Sequence, residues 1–174
     1  MKYLILFLLT ITVLSCSDNP TQSENTNKKY YSGENSIDLK SDGQDDVRWE
    51  LRYIGNGTTA DAMFTVLPVN GSELLYSSQN GNPLFVNGDT IKFNVNQPFH
   101  WYSLPSDLGS KRTNTGKWQG NWAGKTSFMA IKMLFNNNFH CGWVNTTMDT
   151  INEKIIFNYS DYKNNSGEDI IIKD

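Results

Sequence analysis

The chain has 174 residues, with 15 Lys and Arg against 18 Asp and Glu and a formal charge of −3. This mild acidity, without a basic cluster, argues against nucleic acid as a partner and against electrostatic docking to anionic lipid. The length suits one domain with its own hydrophobic core, because longer chains bury a larger share of their surface.

The first 15 residues have the pattern of a signal peptide. Met1 and Lys2 form a short positive segment, and residues 3–14 form a mostly aliphatic run that leads to Ser15 and Cys16. About a dozen residues are too few to cross a bilayer core of roughly 30 Å. The run is therefore typical of a secretory signal and not of a transmembrane helix.

Residues 13–16, Val-Leu-Ser-Cys, resemble the lipoprotein box of bacteria, in which a small residue precedes the cysteine that receives lipid. The resemblance implies cleavage ahead of Cys16, acyl chains such as palmitate at that residue, and a membrane anchor without a spanning helix, since each buried CH2 contributes about 0.8 kcal/mol. The alternative is an ordinary cleaved signal beside an incidental cysteine. Removing the first 15 of the 174 residues leaves 159 and a charge of −4.

Residues 17–19, Ser-Asp-Asn, resemble the acidic export signal of some Gram-negative outer-surface lipoproteins. This resemblance implies the outer membrane of the bacterial cell envelope and exposure at the surface, and it leaves the leaflet open. Residues 16–29 are rich in Ser, Asn, Thr and Lys and lack apolar periodicity. They predict a flexible linker ahead of a β domain at residues 30–174.

A short acidic segment lies near the start of that domain, at residues 36–46. It resembles the Asp-x-(Asp/Asn)-x-Asp-Gly-x-x-Asp loops that bind Ca²⁺ in many secreted bacterial proteins, because this hard cation takes about six to eight oxygen ligands. The resemblance implies three carboxylate ligands and one backbone carbonyl ligand: Asp38, Asp42, Asp46 and Gln44. Lys40 stands where Asp or Asn is expected. The other interpretation is an acidic turn between two strands, in which Lys40 offsets the crowded carboxylates.

Short apolar runs between Gly, Asn, Pro and Asp predict strands from residue 47 onward. Residues 47–53 alternate apolar and charged side chains, and this alternation directs four residues to the core: Val47, Trp49, Leu51 and Tyr53. Further strands are predicted at residues 62–67, 73–76, 91–95, 99–102, 154–159 and 170–172. Residues 105–116 form a long polar stretch in which no strand is predicted.

Residues 128–135 and 139–144 are two runs of aromatic and branched residues, separated by three asparagines at positions 136–138. Asn tolerates the left-handed conformation that a three-residue loop needs, so this pattern predicts a β-hairpin. No segment after the signal peptide has a convincing helical period. The sequence therefore predicts a single all-β domain, either a sandwich or a jelly-roll-like fold.

Aromatic residues interleaved with Asn, Gln and Gly indicate a glycan-binding surface, since rings stack on apolar sugar faces while amides bind hydroxyls. The candidate ligand-binding residues are Trp101, Tyr102, Trp118 and Trp122. Of these, Trp118 and Trp122 lie beside glycines and are expected to be partly exposed. The alternative is that all four rings fill the core of the sandwich.

Catalytic patterns are weaker. His100 and His140 lack nearby Cys, Asp or Glu at metal-ligand spacing, and the adjacent His140 and Cys141 point to opposite faces of a strand. Cys141 has no partner in the chain if Cys16 carries lipid, so we interpret it as a small buried hydrophobe, with a reactive thiol as the alternative. A pair of catalytic carboxylates brought together by strands stays open.

The acidic segment, residues 121–124 (Asn-Trp-Ala-Gly) and residues 140–144 (His-Cys-Gly-Trp-Val) look like a group of secreted and lipid-anchored bacterial β proteins. Those proteins have Tyr where this chain has Cys141. The resemblance implies a fold and exposure outside the cytoplasm, and not an activity. The sequence favours a lipid-anchored, non-catalytic binding or interaction module with a glycan as ligand. The alternatives are a glycan hydrolase that uses two carboxylates and a structural partner of an envelope protein.

Overall fold

The computed structural model describes residues 27–55 and 60–173. The predicted signal peptide, Cys16 and most of the predicted linker lie outside these residues. The described residues form antiparallel sheets without any α-helix, which confirms the all-β prediction. None of them belongs to a helix with the length and apolarity to cross a membrane.

The strands are numbered in chain order. Thirteen of them occur in the described residues: β1 (Lys29–Tyr30), β2 (Ser36–Ile37), β3 (Val47–Gly55), β4 (Ala60–Pro68), β5 (Glu73–Ser77), β6 (Thr90–Ile91), β7 (Phe99–Tyr102), β8 (Ser106–Arg112), β9 (Trp118–Gln119), β10 (Thr126–Phe135), β11 (Asn138–Asp149), β12 (Lys154–Tyr162) and β13 (Ile170–Ile171).

Two larger sheets face each other in a sandwich-like arrangement. One has six strands in the order β1-β12-β11-β10-β5-β7, and the other has five in the order β2-β3-β4-β8-β9. Both sheets contribute to one buried apolar cluster, with Phe64 and Val66 from the five-stranded sheet and Ile131 and Phe157 from the six-stranded sheet. Alternation along each strand produces this core, because every second side chain points to the same face.

A second buried cluster covers the other face of the six-stranded sheet. Phe128 and Trp143 pack there with Ile91 of β6 and Ile170 of β13, two strands that pair as a small sheet of their own. The six-stranded sheet is therefore covered on both faces. This explains why residues 127–133 of β10 are all buried, although an alternating pattern is the norm for a half-exposed strand.

The predicted strand at residues 47–53 occurs within β3. Val47 is buried, and Trp49 and Leu51 pack against the core cluster. Tyr53 is 68% exposed, so the prediction that it faces the core is wrong. It pairs with Ala62 near the end of the β3–β4 ladder. Alternation fixes the side to which a residue points, but it does not fix how far the core extends along the strand.

The central hairpin is formed by β10 and β11, which confirms the prediction of two paired strands in this stretch. The predicted three-residue loop is wrong, because Asn138 already pairs with Phe135. Only Asn136 and Asn137 form the turn, with φ values of 48° and 60°. Two consecutive left-handed residues are what a type I′ hairpin turn requires, and Asn adopts that conformation at low cost.

Two other segments differ from prediction. β8 lies within the polar stretch at residues 105–116, where no strand is predicted, and it pairs with β4 on one side and β9 on the other. Its backbone hydrogen bonds come from those two neighbours, while Leu108 is its only large apolar side chain. The predicted strand at residues 91–95 is shorter than expected, because regular pairing ends at Ile91.

The N-terminal end of the described chain lies along the outer edge of the six-stranded sheet. Residues Lys29–Tyr30 pair with β12, and the backbone N–H of Asn27 donates to Asp161 Oδ1 at 2.7 Å. The last residues of the predicted linker are therefore bound to the sheet.

Candidate functional site

The acidic loop, residues 38–46, is organised around the Lys40 ammonium. Lys40 Nζ lies 2.8 Å from Asp46 Oδ1 and 3.3 Å from Asp42 Oδ2. It also donates to the backbone carbonyl oxygen of Leu134 in β10 at 3.0 Å. The side chains of Lys40 and Asp46 are only 3% and 0% exposed, so this ion pair is buried.

Other carboxylate oxygens of the acidic loop accept hydrogen bonds from the backbone. The two oxygens of Asp38 accept the N–H groups of Asp42 and Gly43, at 3.3 and 2.8 Å. Asp46 Oδ2 accepts a backbone N–H at 2.9 Å, and the N–H of Gln44 donates to Asp42 Oδ1 at 3.0 Å. Lys40 thus joins Asp42 and Asp46, while Asp38 binds the backbone, so all three carboxylates of the predicted metal site are already in contact with protein donors.

The residues of this loop fit a calcium ion poorly as they are arranged. Burial alone lowers the pKa of Lys40, but the hydrogen bond and charge of Asp46, together with Asp42, outweigh burial and raise the pKa above its ordinary value. A cation shared by those two carboxylates must displace this ammonium. Across residues 27–55 and 60–173, no three His, Cys, Asp or Glu side chains form a group that could hold a metal ion. Calcium binding at the loop stays a prediction.

Trp118 and Trp122, the first pair of predicted ligand-binding residues, differ in exposure. Trp118 is half-buried and packs on Phe64 with 4.9 Å between ring centres. Trp122 is 1% exposed, and its indole N–H donates to the backbone carbonyl of Asn82 at 3.1 Å. The expected partial exposure is therefore confirmed for Trp118 and wrong for Trp122, because Trp122 belongs to the core between the sheets.

Trp101 and Tyr102, the second pair, are adjacent on β7 and point to opposite faces of the sheet. Trp101 packs against the second core cluster, and its indole N–H donates to the backbone carbonyl of Phe93 at 2.9 Å. The Tyr102 ring lies 5.3 Å from the ring of Tyr76 and 5.7 Å from that of His100. The four predicted ligand-binding residues thus occupy separate environments and do not form one aromatic surface.

A more promising site is a cavity of about 430 Å³ between the turn after β5 and the β8–β9 ladder. We call it the amide-lined cavity, because five of its lining residues carry side-chain amides: Gln79, Asn80, Asn82, Gln119 and Asn121. Asp107 and Ser110 add a carboxylate and a hydroxyl, and Trp122 also contributes to the wall. Trp122 is thus the one predicted ligand-binding residue that borders this cavity.

Two glycines allow the walls of the cavity to approach closely. Gly120 has φ +107°, and a Cβ atom built on it would lie 2.7 Å from Gly109 Cα and 2.8 Å from the backbone oxygen of Leu108. Across the cavity, the side-chain amide of Asn121 donates to the backbone carbonyl of Asn80 at 2.9 Å. The segment after β9 is therefore fixed against both β8 and the turn after β5.

Among the described residues, Asp107 is the only charged side chain that lines the cavity. Its Oδ1 accepts the hydroxyl of Thr65 at 2.5 Å and the Arg52 guanidinium at 3.0 Å. Arg52 is on β3, which β4 separates from β8, and does not line the cavity. Its positive charge thus compensates Asp107 from outside, while the carboxylate stays partly exposed.

Asn82 is the buried member of the amide set, with 2% of its surface exposed. Its Nδ2 donates to Ser106 Oγ at 2.8 Å, and its backbone carbonyl accepts the Trp122 indole. Its Oδ1 is buried and has no hydrogen-bond partner in the part of the chain that the structure describes. A buried acceptor without a donor costs about 1–3 kcal/mol, and this oxygen is such an acceptor in the wall of the cavity.

Sequence reasoning missed this cavity, although two signals were available. Residues 79–82 read Gln-Asn-Gly-Asn and residues 119–121 read Gln-Gly-Asn, which are two amide and glycine segments of similar composition. Each segment lies at or just after the end of a strand, and the packing of the two sheets brings both segments to one place.

Cys141 and His140 lie outside the amide-lined cavity. Cys141 is fully buried in the second cluster, and burial raises the pKa of its thiol to about 12. A thiol in that state is neutral and poorly nucleophilic, as the buried-hydrophobe interpretation expects. His140 Nδ1 lies 3.1 Å from the backbone carbonyl of Lys163.

The chain matches no family model, no curated protein and no solved structure among those compared.

Proposed function

We propose that this protein is a lipoprotein of the bacterial cell envelope, anchored through Cys16, whose β domain is a non-catalytic glycan-binding module. The anchor is supported by the signal sequence that ends at Cys16 and by its resemblance to a lipoprotein box. The glycan ligand is supported by one observation above all, the amide-lined cavity.

The chemistry of the cavity suits sugar hydroxyl groups. A side-chain amide carries both donors and an acceptor, and a hydroxyl likewise donates and accepts, so each can satisfy the other. A volume of about 430 Å³ lies within the range of roughly 300–1,000 Å³ that is usual for small-molecule sites. Four of the five amides are exposed at the rim, where a glycan chain could continue into solvent.

Binding is favoured over hydrolysis. Glycosidases commonly use two carboxylates about 5–9.5 Å apart, one on each side of the scissile bond. The lining of the cavity contains one, Asp107, whose Oδ1 is held by Arg52 and Thr65. An envelope protein as partner is the remaining alternative, and the binding experiment below separates it from a glycan.

The test uses the full acylated protein in detergent on a glycan array. Gln119→Ala and Gln79→Ala each remove an exposed amide of the cavity. We expect the double variant to lose at least tenfold in glycan affinity with an unchanged melting temperature. Asn94→Ala, an exposed amide outside the cavity, is the matched control and should bind as the wild type does. Trp122→Ala is unsuitable, because it removes a core side chain.

Absence of glycan binding by the wild-type protein would overturn the proposal that its ligand is a glycan. If, in addition, an envelope protein co-purifies in stoichiometric amount, the structural-partner alternative is supported instead.

The anchor is tested by mass spectrometry of the protein from its native membrane. We expect an N-terminal Cys16 that carries acyl chains, and release of a Cys16→Ser variant from the membrane fraction. An unmodified thiol at position 16 would contradict the anchor without affecting the glycan test.

A further inference from the structure

We infer that the amide-lined cavity selects uncharged sugars over acidic ones, and that Asp107 is the residue that discriminates. This inference rests on the proposed glycan-binding function and names the class of glycan. It follows from the balance of charges and of hydrogen-bonding groups around the cavity.

The charge balance is the first step. Asp107 is negative, and no Lys, Arg or His of residues 27–55 and 60–173 lines the cavity. The carboxylate of a uronic or sialic acid would therefore meet a like charge without a cation to bridge the two. Repulsion between like charges in a cleft is a common way in which a site rejects a wrong ligand.

The hydrogen-bonding balance gives the same result. The Asp107 carboxylate that lines the cavity can accept hydrogen bonds but cannot donate them. A neutral sugar offers many O–H donors, whereas an ionised carboxylate only accepts. An acidic sugar is thus unfavourable on both grounds.

Arg52 explains why an amine-bearing sugar is not the preferred ligand either. Its guanidinium lies 3.0 Å from Asp107 Oδ1, and Thr65 donates to the same oxygen. The charge of Asp107 is therefore only partly offset, because the same guanidinium also lies 3.6 Å from Glu50, and the carboxylate acts toward a ligand as a negatively charged hydrogen-bond acceptor. Hydroxyl and N-acetyl groups match this acceptor without the cost of desolvating an ammonium ion.

The experiment compares pairs of glycans that differ only in charge. The neutral glycan that binds best on the array is measured by titration calorimetry beside its derivative in which C6 primary alcohols are oxidised to carboxylates. We expect the wild-type protein to bind the neutral form at least tenfold more tightly. Asp107→Asn keeps the shape of the side chain and removes its charge, so the ratio should fall to threefold or less.

A second variant keeps the test informative if Asp107→Asn folds poorly. Gln119→Lys places a cation at the exposed rim, and we expect it to reverse the preference toward the oxidised glycan. Gln119→Met, of similar length and uncharged, is its control and should keep the neutral preference.

The outcomes separate the two proposals. If acidic glycans bind best to the wild-type protein, or if the ratio is unaffected by both charge-changing variants, the inference is overturned while the glycan-binding function stands. If no glycan binds at all, the proposed function itself falls.

Discussion

The acidic loop and the amide-lined cavity are both rich in polar side chains, and they differ in where the hydrogen-bonding partners come from. In the acidic loop, the Lys40 ammonium and backbone N–H groups satisfy the carboxylates. Around the cavity, four of the five side-chain amides face solvent, where a ligand can supply their partners. Polar groups that the chain satisfies itself stabilise the fold, whereas those left open are available to a ligand.

The largest expected effect follows from removing the cation of the acidic loop. Lys40→Met leaves the buried Asp46 carboxylate without its partner, and we expect a loss of about 3–5 kcal/mol in the free energy of unfolding. Urea denaturation measures it. Lys92→Met is the matched control, because Lys92 forms an exposed ion pair with Asp169 that should contribute less than about 1 kcal/mol. Equal losses in the two variants would mean that the buried pair has no special role.

The same loop gives a prediction for calcium. Because the Lys40 ammonium lies between Asp42 and Asp46, we expect the melting temperature of the wild-type protein to be the same in EDTA and in millimolar Ca²⁺. A ligand at 100 times its Kd adds about 2.7 kcal/mol, so binding would be readily visible. Lys40→Asn restores the residue type of the calcium loops that this segment resembles, and it should gain a Ca²⁺-dependent rise. A rise in the wild-type protein would instead support the calcium site.

A smaller effect is expected where the walls of the cavity meet. Gly120→Ala forces a side chain onto a backbone with φ +107° and against Gly109, so we expect about 1–3 kcal/mol of destabilisation and weaker glycan binding. Gly116→Ala, also at positive φ but with its nearest neighbour 4.0 Å away, tests backbone strain alone. If the two variants lose equal stability and both bind glycan normally, the close approach does not shape the cavity.

Two lysines buried in different surroundings extend the comparison to pH. Lys132 in β10 lies 3.9 Å from the ring centre of Phe93 and 5.0 Å from that of Trp101, and no ion pair to it occurs among the described residues. Burial lowers the pKa of Lys132 below its ordinary value of 10.5, with partial offset from Cys141 and Glu73. The folded state therefore binds the proton of Lys132 less tightly than the unfolded chain does.

The sign of the pH effect follows. Protonation of Lys132 favours the unfolded chain. The free-energy cost of burying the charged amine is therefore fully present below the lowered pKa of the folded state. It decreases as the pH rises toward 10.5. We expect the difference in free energy of unfolding between Lys132→Met and the wild-type protein to decrease over that interval. A constant difference across the titration would contradict the prediction. Lys125→Met, on the exposed surface, should show no such trend.

The smallest expected effect on stability is that of Gln119→Ala, within about 0.5 kcal/mol, because its exposed side chain holds no other element. Combined with weaker glycan binding, this result would separate a ligand contact from a structural one. A large loss of stability would instead mean that Gln119 stabilises the fold, as the polar groups of the acidic loop do.

The fold was more accessible from the sequence than the candidate site. Alternation at residues 47–53 and the asparagine turn after residue 135 depend on neighbours in the chain, so local patterns predict them. β8 has Leu108 as its one large apolar residue and is held by pairing with two distant strands, which no local pattern records. The cavity combines residues near positions 80, 108 and 120, whose proximity depends on strand register. The predicted partial exposure of Trp122 is wrong because a flanking glycine does not indicate how deeply the side chain is buried.

The attachment of residues 27–30 to the edge of the six-stranded sheet has a mechanical consequence for the proposed anchored protein. A pull from the membrane reaches β12 first, through the hydrogen bonds of β1 and of Asn27. Neither residue of β1 belongs to a hydrophobic cluster, so we expect these bonds to break before the sandwich unfolds. The released segment then lengthens the tether to Cys16, so the domain lies farther from the bilayer while force is applied.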